Sequence, residues 1–209
     1  LVAFAGGAKQ YVEVEENLFR ELDSNISLVA GISPRLIAFQ ENDAGAITGF
    51  VFDGLPFMSA RKLPSYETAN FNFSLLGLSL LIFLAVVLRR WYQRREIALL
   101  YGPDRTAFNA SFYTSLAHVV TLAAGAVVVS IVANDLINGF PLVFKLWLIL
   151  PVISTLASFY LLFRTVGVWK QKLFTGVWVR IRFTCVTLSA LFMAWFYYFW
   201  NILGFQYMV

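Results

Sequence analysis

The chain has 209 residues, of which 59% are hydrophobic and 13% charged, and its mean hydropathy of +0.71 excludes an ordinary soluble domain, a disordered chain and a collagen. Its single cysteine, Cys185, excludes an internal disulfide. The net charge of +4 combines −4 over residues 1–70 with +8 over residues 71–209, where basic residues cluster beside long apolar runs. This distribution indicates membrane topology and no nucleic-acid partner.

A β-hairpin is predicted in the first third of the chain. Residues 35–40 and 46–52 are apolar, β-branched or aromatic at most positions, which favours strands. The five residues between them, 41–45, include Asn42 and Asp43, whose side chains readily bond to their own main chain in turns. Together these features predict two antiparallel strands joined by a five-residue turn.

The rest of residues 1–64 favours a small β-rich element. Residues 11–14 alternate and predict a strand, residues 1–5 favour the interior of a strand, and residues 15–23 favour a short helix or loop. Two or three strands bury too little surface to be stable alone, so we expect this element to belong to a larger domain. Residues 65–70 are predicted to be a linker.

Four later segments have the length and composition of transmembrane helices. Each contains 18 to 22 residues, and at about 1.5 Å per residue even the shortest spans roughly 27 Å. Their continuous apolar character excludes membrane β-strands, which alternate. We therefore predict a mainly α membrane protein, in which a four-helix transmembrane bundle over residues 71–209 follows an extracytoplasmic β-hairpin element. The predicted spans are residues 71–88, 112–133, 142–163 and 183–204.

The orientation of the bundle follows from the basic residues. The connections after the first and third spans contain ten of the sixteen lysines and arginines, whereas residues 134–141 and 201–209 contain none. Because basic loops stay in the cytoplasm, we place both termini and the β element outside the cytoplasm, in a multi-pass membrane protein. Residues 164–182 then form the basic ends of two helices joined by a short turn containing Gly176.

Export of the β element requires a signal, and residues 1–5 are too short an apolar run to provide one. We therefore expect this sequence to be the C-terminal part of a longer exported precursor.

Four sequence segments resemble a known family. The strings FQENDAG at residues 39–45 and KLPSYET at 62–68, followed by RIRFT at 180–184 and FWNILGF at 199–205, are similar to the C-terminal membrane region of bacterial β-lactamase-related, penicillin-binding-protein-like serine hydrolases. The resemblance implies an upstream serine-hydrolase-like domain of the same precursor that carries the catalytic residues. This chain would then tether that domain to the membrane surface, with the lipid bilayer and the hydrolase domain as partners.

No catalytic, cofactor-binding or metal residue is predicted in the chain itself. Ser59 and Lys62 match the Ser-x-x-Lys spacing of the family's nucleophile by letter. That mechanism needs the serine at the start of a buried helix, and Pro64 and the strand-like flanks favour a linker instead. We therefore expect a non-catalytic anchor.

Two ionisable residues inside the predicted spans leave a second function open. His118, the only histidine, is expected to form a hydrogen bond within the bundle, with proton or ligand handling as the alternative. Lys145 is expected to reach outward or to pair with Asp135, with an anion site as the alternative. The alternative function is a polytopic membrane ligand-binding or transport subunit.

Packing features complete the predictions. Ala117, Thr121 and Gly125, with Ala126 and Ser130 beside them, predict a close helix–helix contact. In the third span, a proline predicts a kink. Cys185 is expected within one turn of the cytoplasmic side. The kink is expected at Pro151. Four tryptophans are expected to anchor the protein at the membrane interfaces, with stacking on a ligand as the less favoured alternative: Trp147, Trp169, Trp178 and Trp200.

Overall fold

The computed structural model describes residues 2–4, 7–22, 36–52, 59–133, 139 and 141–204. The chain divides into two compact units, Leu1–Thr68 and Ala69–Val209. The first unit is built of β-strands and the second of α-helices. Each unit has its own packing and is described separately.

Antiparallel strands form the first unit. Strands β1 and β2 pair with each other, and the other five form a sheet in the order β3-β4-β5-β6-β7. The strands are β1 (Val2–Phe4), β2 (Gly7–Lys9), β3 (Tyr11–Glu15), β4 (Leu18–Glu21), β5 (Leu36–Glu41), β6 (Ile47–Phe52) and β7 (Ser59–Arg61).

The predicted hairpin is formed by β5 and β6, which pair antiparallel with Phe39 opposite Phe50. In the turn, the side-chain oxygen of Asn42 accepts hydrogen bonds from the backbone N–H groups of Ala44 at 3.1 Å and Ala46 at 2.9 Å. Gly45 has a φ of 73°, a conformation that glycine adopts without strain. The turn residues therefore act as the sequence predicts.

The prediction of a short helix or loop over residues 15–23 is wrong for Leu18–Glu21, which forms β4. A tight turn at Asn17, with a φ of 63°, reverses the chain so that β4 pairs with β3. On its other side β4 pairs with β5, where Phe19 lies opposite Ile37. Pairing on both sides overrides the weak local preference.

One face of this sheet carries a row of aromatic rings. Phe19 and Phe39 pack edge to face with centroids 5.3 Å apart, and the rings of Phe39 and Phe50 are 5.9 Å apart. Ile37 lies on the same face and is only 1% exposed. Contacts of this kind between neighbouring strands are the main source of sheet stability.

Within its described residues, the second unit contains four helical segments that are long and apolar enough to cross a membrane: Ala69–Tyr92, Gly102–Val132, Leu142–Lys170 and Val177–Phe199. The third is divided in two, and a short helix follows the first. The helices are α1 (Ala69–Tyr92), α2 (Arg94–Ala98), α3 (Gly102–Val132), α4 (Leu142–Trp147), α5 (Ile149–Lys170) and α6 (Val177–Phe199).

These helices extend beyond the apolar runs at their basic ends. Arg89 lies inside α1, and α6 begins at Val177, six residues before the predicted start at Phe183. Hydropathy marks only the apolar part of a helix, whereas backbone hydrogen bonds continue into the charged turns. Cys185 is therefore eight residues into α6, more than two turns from its start, and its distance from the cytoplasmic side stays a prediction.

The predicted kink in the third segment is present. Helix α4 ends at Trp147 and α5 begins at Ile149, so the break at Leu148 precedes Pro151 by three residues. Proline lacks the N–H that would bond to the residue four positions earlier, and its ring clashes with that carbonyl. The predicted turn near Gly176 is also present, because α5 ends at Lys170 and α6 begins at Val177.

The buried face of α3 consists mainly of small and polar residues. Along α3 a buried row repeats in alternating steps of four and three residues, the spacing of left-handed helix packing. Ala126 and Ser130 are exposed, so the predicted packing face is right for Thr121 and Gly125 and wrong for these two. The row consists of Ala107, Ser111, Thr114, His118, Thr121, Gly125, Val128 and Val132.

Candidate functional site

His118 is the point where the four long helical segments meet. It lies about halfway along α3 and is completely buried. The ring of Phe83 from α1 stacks on the imidazole, with centroids 4.9 Å apart and planes inclined by 8°. Ser158 from α5 and Tyr197 from α6 hydrogen-bond to its two ring nitrogens. We call His118, Phe83, Ser158 and Tyr197 the histidine cluster.

The hydrogen bonds of the histidine cluster fix one tautomer. The Ser158 hydroxyl donates to the backbone carbonyl of Ser154 at 2.8 Å, so its oxygen accepts from the Nε2–H of His118 at 2.9 Å. The remaining nitrogen, Nδ1, accepts from the Tyr197 hydroxyl at 3.2 Å. We therefore assign a neutral imidazole protonated at Nε2, which leaves both nitrogens occupied by protein groups.

The network continues along α3 and α5. The hydroxyls of Thr121 and Ser154 are 2.8 Å apart, and the indole N–H of Trp147 donates to the Thr121 carbonyl at 3.0 Å. The buried hydroxyls of Ser115 and Thr155 have no hydrogen-bond partner and are not part of it. Since an unpaired polar group in an apolar interior is costly, the paired groups stabilise this helix arrangement.

Trp147 has a packing role that the sequence analysis does not predict. A Cβ atom added at Gly125 would lie 2.6 Å from the indole ring, so a larger residue there would displace the ring. Trp147 is half-buried and its ring packs against α3, whereas its interpretation as an interface anchor stays a prediction. Trp169 also has a defined contact, a hydrogen bond from its indole to the Thr184 hydroxyl at 2.9 Å.

The two other sequence candidates do not join the histidine cluster. Lys145 lies in α4 and is half-buried. Its predicted partner, Asp135, lies outside the described residues. Among the described residues, no three His, Cys, Asp or Glu side chains come together in a way that could hold a metal ion.

The Ser-x-x-Lys match lies in the β unit. Ser59 and Arg61 belong to β7, an edge strand paired with β6, and no helix starts there. Arg61 forms an ion pair with Glu67 at 2.7 Å. The geometry that a nucleophilic serine would need, one helical turn before its lysine, is therefore not formed by Ser59 and Lys62.

Comparison with known proteins yields no matching family model, no similar curated protein and no similar solved structure. The resemblance to β-lactamase-related hydrolases therefore stays a prediction. What the chain does has to be inferred from the geometry of its two units.

Sequence reasoning found His118 but none of its three partners. A signal was present, because Ser154 and Ser158 are four residues apart and therefore on one face of α5. Tyr197 and Phe83 carry no such signal, since each lies among many aromatic or apolar residues of its helix. Only the packing of the helices distinguishes them.

Proposed function

We propose that this chain is a non-catalytic membrane-anchoring region. Its four long helical segments would span the bacterial cytoplasmic membrane, with both termini and the β unit outside. The anchored partner would be an exported domain of the same precursor, of the β-lactamase-related serine-hydrolase class that the resemblance implies. Anchoring would raise the local concentration of that domain near membrane-bound or cell-wall substrates.

One observation carries the proposal: the helical unit exposes many large apolar side chains on its outer surface, while polar side chains are buried among the apolar residues of its core. Its interior holds His118 and a series of serine and threonine hydroxyls, while large apolar side chains more than half exposed cover its surface. Such a surface is unfavourable in water and favourable in lipid. Examples on the outer face are Leu81, Ile131, Leu156, Phe163 and Leu188.

The basic residues support the proposed orientation. Arg89, which precedes the first connection, and Lys172 and Arg182, which flank the third, line the same cavity at one end of the helical unit. Both basic connections therefore meet on one side, as the positive-inside rule requires for cytoplasmic loops.

The occupied nitrogens of His118 favour an anchor over a transport subunit. A proton or ligand path needs an ionisable group that can exchange partners. Here the histidine cluster is closed by a hydroxyl on each nitrogen and by the stacked Phe83 ring. These contacts match a structural role, in which His118 joins four helices.

Cysteine accessibility in intact cells tests the orientation. In the full chain behind an export signal, with Cys185→Ser as background, we would place single cysteines at Leu142 and Gln171, two exposed sites at opposite ends of the third helical segment. An impermeant maleimide should label Leu142→Cys in intact cells and Gln171→Cys only after lysis. The reverse pattern would overturn the orientation, and equal labelling of both would overturn membrane insertion.

The hydrolase assignment needs a separate test. A fluorophosphonate or penicillin probe should covalently label the precursor proposed above and leave this chain unlabelled. Labelling of the isolated chain would contradict the non-catalytic role.

To test the transport alternative, His118→Gln and Lys145→Leu would be compared with the unchanged protein. Loss of the parent protein's activity in a variant that remains folded would favour a ligand path over an anchor.

A further inference from the structure

A cavity of about 570 Å³ lies at the end of the helical unit where α1 ends and α3 begins. Helices α1, α2, α3 and α6 contribute to its wall, together with the loop between α5 and α6. No residue of the histidine cluster lines it. The cavity is therefore a separate feature, and the anchoring role does not require it.

The wall of the cavity changes character with depth. On α1, Arg89 is near the helix end and Val86 lies one turn further in. On α6, Arg182 is near the helix start and Val186 lies one turn further in. Phe108, two turns into α3, adds to the inner wall. The cavity thus has a charged rim and an apolar interior, which matches an amphiphilic ligand better than a fully polar one.

Three cations stand at the rim: Arg89, Lys172 and Arg182. Lys172 and Arg182 are exposed, and Arg89 is half-buried. In the described part of the chain, none of the three forms an ion pair with a carboxylate, although an ion pair of this kind is present in the β unit. Their charges are therefore not neutralised by a direct contact with a described acidic residue.

Two carboxylates also face the cavity, and one of them has a structural role. Asp104 accepts a hydrogen bond from the backbone N–H of Phe174 at 3.0 Å, which fixes the loop between α5 and α6. Phe174 has a φ of 61°, so the loop needs such support. Glu96 on α2 is exposed. With three cations against two carboxylates, the rim remains positive and favours an anion.

We propose that this cavity binds one anionic phospholipid. The phosphate of the headgroup lies among Arg89, Lys172 and Arg182, and the first part of an acyl chain lies along Val86 and Phe108. A free phosphate would satisfy the cations but leave the apolar interior empty, which is why a lipid is the better match. The proposal rests on the membrane location proposed above, because lipid must be able to enter from the side of the bundle.

Lipid retention by the purified full chain tests this site. Native mass spectrometry from detergent would compare phosphatidylglycerol with zwitterionic phosphatidylcholine. The triple variant Arg89→Gln, Lys172→Gln, Arg182→Gln should retain phosphatidylglycerol about tenfold less than the unchanged chain. The matched control removes three charges from the same end outside the cavity wall, through Arg94→Gln, Arg95→Gln and Arg105→Gln, and should change retention less than about twofold.

The depth of the site is tested without altering charge. Ser111 is buried and lines the cavity, so Ser111→Phe should fill the interior and reduce retention of phosphatidylglycerol. Val86→Phe, at a half-buried position, gives a second filling variant if the first does not fold by circular dichroism. Unchanged retention in a folded filling variant would contradict the acyl-chain position.

Further outcomes identify the source of the anion. An excess of inorganic phosphate should leave the lipid bound, and displacement by phosphate would identify a soluble-anion site and overturn the lipid assignment. Equal losses in the two triple variants, or equal retention of both lipids, would also overturn it. Extraction of cell membranes with alkaline carbonate reports membrane insertion independently, so failure of the anchor is distinguishable from failure of the lipid site.

Discussion

The interiors of the two units differ, because in the described part of the chain only the helical unit buries a series of polar side chains among its apolar core residues. In the β unit, Ile37 and a row of aromatic rings line one face of the sheet, and the polar turn of the hairpin is exposed. In the helical unit, His118, Thr121 and Ser154 are buried, and large apolar side chains face outward. The first arrangement is typical of a sheet with one face toward water, whereas the exposed apolar surface of the second matches helices long and apolar enough to cross a membrane.

The difference teaches that the same residue types stabilise the two units in different ways. A hydroxyl on the sheet surface exchanges a bond to water for a bond to protein, with little net gain. In apolar surroundings a hydroxyl inside the helical unit would have no water as an alternative partner, so leaving it unpaired would be costly. Substitutions at matched positions in the two units can therefore measure this contrast.

The largest effect is expected at His118. His118→Ala removes a fully buried ring from the contact of all four long segments and leaves the Tyr197 and Ser158 hydroxyls without that partner. We expect the free energy of unfolding to fall by about 3 kcal/mol, by analogy with large-to-small core substitutions. Titration with sodium dodecyl sulfate, followed by circular dichroism, would measure it.

A matched control for this substitution is available on the same helix. Val120 is two residues away and 46% exposed, so Val120→Ala should cost less than about 0.5 kcal/mol. Equal destabilisation by the two variants would show that the buried polar network contributes nothing specific, and the contrast between the units would be lost.

A second large effect is expected in the β unit at Gly49. An added Cβ atom would lie 2.5 Å from the backbone carbonyl oxygen of Ala60, and a backbone group in a strand cannot move aside. Gly49→Ala should therefore detach β7 from β6, at a cost of about 2 kcal/mol. Hydrogen exchange should be faster at the amide of Lys62, which donates to the Thr48 carbonyl. Unchanged protection of this amide would contradict the steric argument.

The equivalent close approach in the helical unit should cost less. At Gly125 the added atom would meet the ring of Trp147, a side chain that can shift, so we expect Gly125→Ala to cost about 1.5 kcal/mol. Gly167→Ala on α5 is the control, because nothing lies within 4 Å of its added atom. It should be neutral or stabilising by a few tenths of a kcal/mol. The detergent titration used for His118 measures both.

The existence of the helices follows from the sequence, whereas their inner face does not. Continuous apolar runs identify the four long segments, and Asn42 and Gly45 identify the hairpin turn, because each signal is local. The small-residue pattern on α3 correctly included Thr121 and Gly125 but added Ala126 and Ser130, which are exposed. When large apolar residues occupy several faces of a helix, hydropathy cannot say which face is buried.

The partners of His118 were not predictable for a related reason. Its nitrogens bond to residues 40 and 79 positions away in sequence. Which residues meet at that depth depends on how far each helix extends beyond its apolar run. The last apolar span starts at Phe183, and the helix that contains it starts at Val177. A shift of six residues corresponds to about 9 Å along the axis.

A neutral pair inside the helical unit should give a modest but measurable coupling. The hydroxyls of Thr165 and Thr187 are 2.7 Å apart and buried between α5 and α6. In a double-mutant cycle with Thr165→Val and Thr187→Val, we expect a coupling of about 0.6 kcal/mol, the average for hydrogen bonds between membrane helices. A coupling of zero would mean that the two hydroxyls are satisfied by their own helices, since each also contacts a backbone carbonyl.

The smallest effect is expected at the ion pair of the β unit. Arg61 and Glu67 are in contact at 2.7 Å, but the arginine side chain is 72% exposed, so water and salt screen the attraction. Arg61→Gln should lower stability by less than about 0.5 kcal/mol, and the loss should vanish at high salt. Lys62→Gln, an exposed neighbour, is the control. The ion pair between Arg61 and Glu67 should stabilise the β unit less than the hydroxyl pair of Thr165 and Thr187 stabilises the helical unit. The opposite order would contradict the proposal that the β unit lies in water and the helical unit in lipid.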